Sequence, residues 1–512
     1  MQTTAVSVFE RIVKSVSEGA APAVALARQL GLAQDVAGRL LAALDGVFAF
    51  ASGMPDEQGT AVDDEMGATA AAMKLAAPLA QGRIQRRLDA LDTAQTSAAR
   101  CPRCERKAHS VGRVKRCWMS TAGQIQLKRR VAHCDHCKKQ VSVSQRRVGL
   151  GDGDFTPRLE EVTTMLATTV PHEMAMKLLE KLLGTKVSEY AIQEMVERRG
   201  VALGKILAEE AAEANPYNQK GLPRTLPPSQ GKAPKVGYLE VDGVLPMTRE
   251  ELKGSELTQA DKARQKRAKQ AKARGGRGRR YRLVGREVKN AVLYSDDACA
   301  QESSSRGCLL DKHYVSHLGE WQAFAPLVWA MMREHRFDRA DLLVLLSDGA
   351  EWIRSFAEWL PIKVLLILDL FHVKHRIWEV ATALYGEHTP QARRWAETQC
   401  DRVEAGRTTE VINALRFLRT PRKEAQEKVA ELRQYLASNI DRMDYPAYRA
   451  RGLRVGSGAV ESANYHVTGA RLKAQGMRWT EAGAREMAAL RADLFNNAWE
   501  SRTRLILART AA

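Results

Sequence analysis

Two short motifs, CPRC at 101–104 and CDHC at 134–137, constrain the fold of this chain more than any other feature. Two cysteines at this spacing close a tight turn with both thiols on one side. Two such knuckles make the tetrahedral four-thiolate set that suits Zn²⁺. The 29 residues between Cys104 and Cys134 must leave the ion and return to it. The stretches SVGRVKRCWMS, GQIQLKRRVAHC and QVSVSQRRV alternate as short strands do. A zinc ribbon is therefore expected over 99–150, with Cys101, Cys104, Cys134 and Cys137 holding a structural zinc. His136 and Cys117 read as bystanders, and the basic residues of these strands (Arg113, Lys115, Arg116, Lys128, Arg129, Arg130) suggest contact with DNA. The other cysteines (Cys117, Cys299, Cys308, Cys400) are scattered, which points to a reducing compartment rather than a disulfide scaffold.

At 512 residues the chain is too long for one core, and its pattern changes along its length. Residues 1–98 read as amphipathic helices, interrupted by an acidic linker (SGMPDEQGTAVDDEMG). Residues 151–215 are helical again. There PHEMAMKLLEKLLGTKVSEYAIQEMVERRG spaces two helices about a GTKV turn, the second capped by Ser188. That spacing suits a DNA-binding helix-turn-helix and equally two packed helices of a bundle. After a proline-rich linker, strands and helices alternate over 216–375 as in a mixed α/β sheet, with KVLLILDLFHV as the last strand. Residues 376–450 are all helical, and 451–512 bring the last helices. Trp352, Trp359, Trp378 and Trp499 fall on apolar helical faces and read as core. No apolar run is long enough to span a membrane, and the N-terminus lacks the apolar stretch of a signal peptide. A cytoplasmic, nucleoid-associated protein is expected.

The net charge of +19 is uneven. Between Lys262 and Lys289 lie 13 Lys/Arg and one acid, Glu287, so this segment alone carries +12. Charge this concentrated points to a polyanion, double-stranded DNA above all. The segment is expected as a basic loop over 250–285, mobile until phosphate orders it, with Lys266, Arg267, Lys269, Arg277, Arg279 and Arg280 as DNA contacts. Arg471, Lys473 and Arg478 supply further positive charge, and Trp479 could stack on a frayed base.

Three acids sit where a site could form. Asp242 follows the strand YLEV and Asp348 the strand LLVLL, each before a glycine. Glu461 stands in the first turn after Gly456-Ser457-Gly458. Each glycine permits close backbone approach. Clustered carboxylates repel one another unless cations balance them, and two Mg²⁺ ions, with Mn²⁺ as substitute, would do so. The ordinary alternative for Glu461 is a helix-dipole complement.

VDGV (241–244), the REVK strand (286–289), LSDGAEWI (346–353), LDLFHV (368–373) and YRARGLRVGSGAVESANYHVTGARLKAQGMRW (448–479) resemble bacterial insertion-sequence transposases of the ISKra type. That resemblance implies an RNase H-like core in two parts, 216–375 and 451–512, with the helices of 376–450 inserted between them. It also implies a metal-binding triad of Asp242, Asp348 and Glu461. Asp369 and His372, a D-x-x-H after the next strand, are implied as auxiliary residues, and Asp369 is the rival of Asp348 for second ligand. The implied activity is metal-dependent cleavage and transfer of DNA strands at terminal inverted repeats, by a homo-oligomer acting on transposon ends and target. The basic run departs from the family's shorter loop. The alternatives are an RNase H-like nuclease or resolvase, and a domesticated DNA-binding protein without catalysis.

Overall fold

The computed structural model describes residues 11, 16, 19, 21–30, 32–53, 60–94, 100–101, 104–251, 257–273, 281–303 and 306–511. The chain divides into two compact units, Met1–Val196 with Glu500–Ala512, and Glu197–Trp499. The last helix, Trp499–Ala511, thus falls almost wholly with the first unit rather than with the 451–512 segment of the core.

The first unit opens with helices α1 (Pro22–Leu30), α2 (Gln34–Ser52) and α3 (Ala61–Ala94). The expected acidic linker is partly helix. Thr60 donates its amide and its hydroxyl to Asp63, and this cap starts α3 within the VDDEMG stretch. Residues 54–59 lie outside the described residues. Strands β1 (His109–Ser120), β2 (Gly123–Cys134) and β3 (Lys139–Val141) form an antiparallel sheet in that order. The hairpin is longer than short ribbon strands, and the third stretch is strand only to Val141. Ser142 then caps the short helix α4 (Val143–Arg147).

Helix α3 lies along the hairpin. Ile84 and Leu88 pack on Trp118, Ile125 and Leu127. Its polar side chains also satisfy the edge of β2 that β3 leaves open. Gln81 accepts the amide of Gln126, Gln85 takes both main-chain groups of Lys128, and Asp92 accepts the amide of Arg130. An open edge is a liability, and here a helix supplies its partners. Helices α5 (Pro157–Thr169), α6 (His172–Leu183) and α7 (Glu189–Ala214) follow. Gly184, at φ 61°, ends α6, and the Ser188 hydroxyl accepts the amide of Ala191 at the start of α7. The boundary between the units falls inside α7.

The second unit is built on strands β4 (Val236–Val244), β7 (Val288–Ser295), β10 (His313–Leu318), β11 (Leu342–Ser347) and β12 (Val364–Leu368). Their order is β10-β7-β4-β11-β12, with β4–β7 and β7–β10 antiparallel and β4–β11 and β11–β12 parallel. Two hairpins stand outside this sheet, β5 (Met247–Glu251) with β6 (Tyr281–Gly285), and β8 (Cys299–Ser303) with β9 (Arg306–Leu309). Side chains alternate across the sheet with period two. Leu239, Val241, Leu343 and Leu345 pack on helices α9 (Trp321–Glu334) and α10 (Trp352–Trp359) through Phe324 and Phe356. Tyr238, Val344, Leu346 and Ile367 face the opposite layer.

That layer begins with α11 (Leu370–Tyr385) and continues as α12 (Pro390–Glu404), α13 (Thr408–Phe417), α14 (Lys423–Asn439) and α15 (Tyr445–Ala450). The stretch LDLFHV is therefore not all strand. β12 stops at Leu368, and the Asp369 carboxylate accepts the amide of Phe371 as the cap of α11. Trp378 is 39% exposed because the buried stripe of α11 runs through Leu370, Val373, Ile377 and Ala381. Trp499, as expected, is buried.

The basic segment is also not all loop. Its first half is helix α8 (Gln259–Ala273), between β5 and β6. Ala, Gln, Lys and Arg are good helix formers, and Thr258 with Asp261 caps the N-terminus reciprocally.

Candidate active site and thiolate centre

The sulfur atoms of Cys101, Cys104, Cys134 and Cys137 all lie within 4.8 Å of one another. Cys101 and Cys137 are 3.8 Å apart, and Cys104 and Cys134 3.6 Å. A zinc tetrahedron with bonds of about 2.3 Å has edges of about 3.8 Å, so these four thiols could hold a metal such as zinc. Thiol–thiol hydrogen bonding, first with Cys104, and burial push the Cys137 thiol up to about 12. Any metal must therefore displace protons here. Cys117 lies in mid-strand, where its sulfur accepts from Gln126, and His136 sits 3.8 Å from the Cys137 sulfur. Several basic side chains of the ribbon are spent internally. Arg113 pairs with Asp89 and Asp92, Arg116 with Asp154, and Arg129 is buried, while Lys115 and Lys128 are exposed.

In the second unit, Asp242 lies near the end of β4, paired in register with Asn290 of β7. Ser347 of β11 is level with Val241 on one side and Leu368 on the other, so Asp348 and Asp369 follow at the level of Asp242. Glu461 is exposed in the first turn of α16 (Gly458–Ala463). The Asp242 carboxylate accepts the amide of Gly243 at 2.7 Å and the side-chain amide of Asn464. Burial raises the Asp242 pKa to about 6, and the negative charges of Asp348 and Glu461 push in the same direction. Asp348 accepts the amide of Ala350 and its carbonyl accepts the Tyr435 hydroxyl. Among the described residues no group of three carboxylates or imidazoles is gathered as tightly as the four thiols.

The glycines serve differently from expectation. Gly349 has φ +89°, and a Cβ there would meet Leu368 and Tyr435. A Cβ on Gly243 would strike Glu287, and one on Gly456 the ring of Phe371. Their space is taken by the protein's own side chains; only Gly458 of this set is open.

Asp369 is 1% exposed, and its two oxygens accept from Phe371 N and Ser457 Oγ. It holds backbone in place, and no hydrogen bond joins it to His372 among the described residues. A second buried acid, Glu240, had no part in the sequence reading. It lies two residues before Asp242 on the same face of β4, 1% exposed, and accepts Val460 N at 2.8 Å and the Tyr294 hydroxyl. Glu240 and Asp369 thus clamp the start of the helix that carries Glu461. The alternation of YLEVD places Glu240 and Asp242 on one face, which is the signal that was there to be read.

Helix α16 runs through a π-helical turn (Asn464–Gly469) into α17 (Ala470–Leu472). Such turns are rare and concentrate at functional sites. This one presents Asn464 to Asp242. The chain of donors continues behind it, with Asn290 donating to Asn464 while accepting from Ser316 and Thr468.

Burial raises the Glu240 pKa to about 7, against 4.5 when unfolded. A raised folded value means that this stabilisation is complete below 4.5 and is lost as pH rises through about 7. The loss is about 3 kcal/mol. Asp242 adds a fall of the same sign between its ordinary value and about 6. Denaturant titrations of metal-free protein should therefore show stability falling from pH 4.5 to 7, and Glu240→Gln should remove the greater part of that fall. Parallel profiles would contradict the raised Glu240 value.

Of the expected DNA contacts, Lys266, Arg267 and Lys269 are exposed on α8. Arg277, Arg279 and Arg280 lie outside the described residues. Arg471 is 2% exposed, with its guanidinium 4.9 Å from the Trp479 ring, so it is packing rather than surface charge. The Trp479 indole donates to the Leu472 carbonyl, and its backbone pairs with β5 at Met247 and Arg249. These bonds hold the half-buried ring in place. Lys473 is exposed and Arg478 half-buried. No described helix is long and apolar enough to cross a membrane.

Residues 282–505 match an uncharacterised protein family (UPF0236). The matched stretch holds Asp348, Asp369 and Glu461 and begins past Asp242. No curated protein matches the chain.

Proposed function

We propose that this chain is a DDE transposase of an insertion sequence, of the ISKra type, which cleaves terminal inverted repeats and transfers their strands to target DNA. The strand order, with two antiparallel and two parallel pairings, supports the reading of an RNase H-like core. The α11–α15 array, which lies between β12 and the helix of Glu461, is consistent with an insertion before the last carboxylate. One observation carries the reading: Asn464, three residues past Glu461, donates to the Asp242 carboxylate, and Asp348 follows β11 at the level of Asp242, so acids 106 and 219 residues further along the chain come to the same end of the sheet.

An all-oxygen set under this mutual repulsion suits a hard divalent cation. When bound, two Mg²⁺ ions (or Mn²⁺) would neutralise the charge of the reacting phosphate and activate the attacking oxygen. Asp242, Asp348 and Glu461 are the residues that would hold them. Asn464 and Gly243 fix the Asp242 oxygens, and Glu240 and Asp369 fix the helix of Glu461. The exposed cations of α8 hold duplex phosphates near the core, the four-cysteine ribbon and the helices after it engage the repeats, and the chain works as a homo-oligomer.

Purified protein, Mg²⁺, DNA carrying the element's ends and a target plasmid provide the test. Joined products are expected. Cleavage without joining would favour a nuclease or resolvase. DNA binding with no Mg²⁺-dependent cleavage would favour a non-catalytic regulator.

A further inference from the structure

We infer that the cleft between α3, the tip of the β1–β2 hairpin and the start of α5 binds the sugar–phosphate backbone of duplex DNA. The cleft encloses about 890 Å³, all of it within the first unit. Ile84, Val148, Leu150 and Leu507 give it an apolar floor, and Arg83, Arg86 and Arg87 of α3 give it a cationic rim. Arg83 and Arg87 are exposed, and neither has a hydrogen bond or ion pair among the described residues. Arg86 donates to the neutral Leu30 carbonyl and has no ion pair among the described residues. The other charged lining pair cancels itself, with Arg158 bonded to Glu161 at 2.7 Å.

Three like charges at i, i+3 and i+4 on one helix repel one another. Among the described residues no acid pairs with them, so a ligand is the natural counter-charge. Arg83 and Arg87 stand about 6 Å apart along the helix axis. That ladder, beside a cleft far larger than one phosphate, suits a polyanion, and the apolar floor suits deoxyribose. The site rests on the DNA partner proposed above but lies in a different unit from the carboxylates, so the two can fail separately.

Binding of a fluorescent duplex to the full chain, measured against salt concentration, tests it. Each lost phosphate contact should flatten the plot of log K against log salt by about 0.9. Arg83→Ala/Arg87→Ala should therefore flatten it by about two and weaken binding about tenfold or more at 0.1 M salt. Both sites are exposed helix positions that alanine suits, so the fold should hold. Arg83→Lys/Arg87→Lys, which keeps the charge, should keep the slope; equal loss in both variants would overturn the proposal. An unchanged slope in the alanine variant would overturn it too. So would competition by inorganic phosphate that this variant abolishes while its duplex slope stays normal, since that marks a small-anion site. Failure of the unaltered protein to bind any duplex would remove the DNA partner itself, and with it the proposed function.

Discussion

Glu461→Gln is expected to lower strand cleavage and transfer about a thousandfold or more, a loss of about 4 kcal/mol of transition-state stabilisation. The change is nearly isosteric and removes one charge from an exposed side chain. The helix that carries it is held by other groups, Glu240 on Val460 and Asp369 on Ser457, so stability and duplex binding should stay close to those of the unaltered protein. Because Glu461 helps to raise the pKa of Asp242, the variant should also titrate Asp242 at lower pH. Strand-transfer assays, gel shifts and thermal melting on the same preparations check activity, binding and stability, and melting of metal-free protein against pH checks the titration. Full activity would remove Glu461 from the site, and loss of activity with loss of fold would make its role structural.

Cys134→Ser should have the largest effect on folding, confined to one end of the ribbon. The core around the thiols consists of little more than Cys101, Ala108, Ala132, Cys134 and Val141, too small to order these loops without a metal. Structural zinc supplies about 10–16 kcal/mol in small zinc domains, comparable with the whole stability of many domains. The other end of the hairpin has its own core, in which Trp118, Ile125 and Leu127 pack against Leu88. Hydrogen exchange should therefore show protection lost over 104–108 and 132–141, and kept over 118–127, both in Cys134→Ser and after chelation. One zinc per chain should be released by the chelator. Uniform loss along the hairpin, or no zinc released, would contradict a local structural site.

Much of this organisation is written locally and can be read without coordinates. The CxxC pairs, the period-two strands of the sheet and the glycine and serine around the α6–α7 turn each act within a few residues. Other features depend on partners hundreds of positions away. Nothing in a window around Glu240 tells a buried clamp from a surface acid, because its partners are Val460 and Tyr294. Arg471 reads as solvent charge until Trp479 covers it, and the pairing of the Trp479 backbone with β5 joins residues more than 200 positions apart. The π-helical turn at Asn464 leaves no mark in apolar spacing. The basic run was legible yet misread. Its charge suggested a loop, while its Ala, Gln, Lys and Arg content and the Thr258–Asp261 cap favour α8.

The reading rests on whether three carboxylates from distant parts of the chain hold divalent cations together. Crystals of the protein with duplex ends, soaked in Mn²⁺ and measured at the manganese edge, answer this directly. Two anomalous peaks about 3.5–4 Å apart are expected, with Asp242, Asp348 and Glu461 each in contact with at least one of them. Manganese that leaves any of these carboxylates untouched, or binds elsewhere in the second unit, would contradict it.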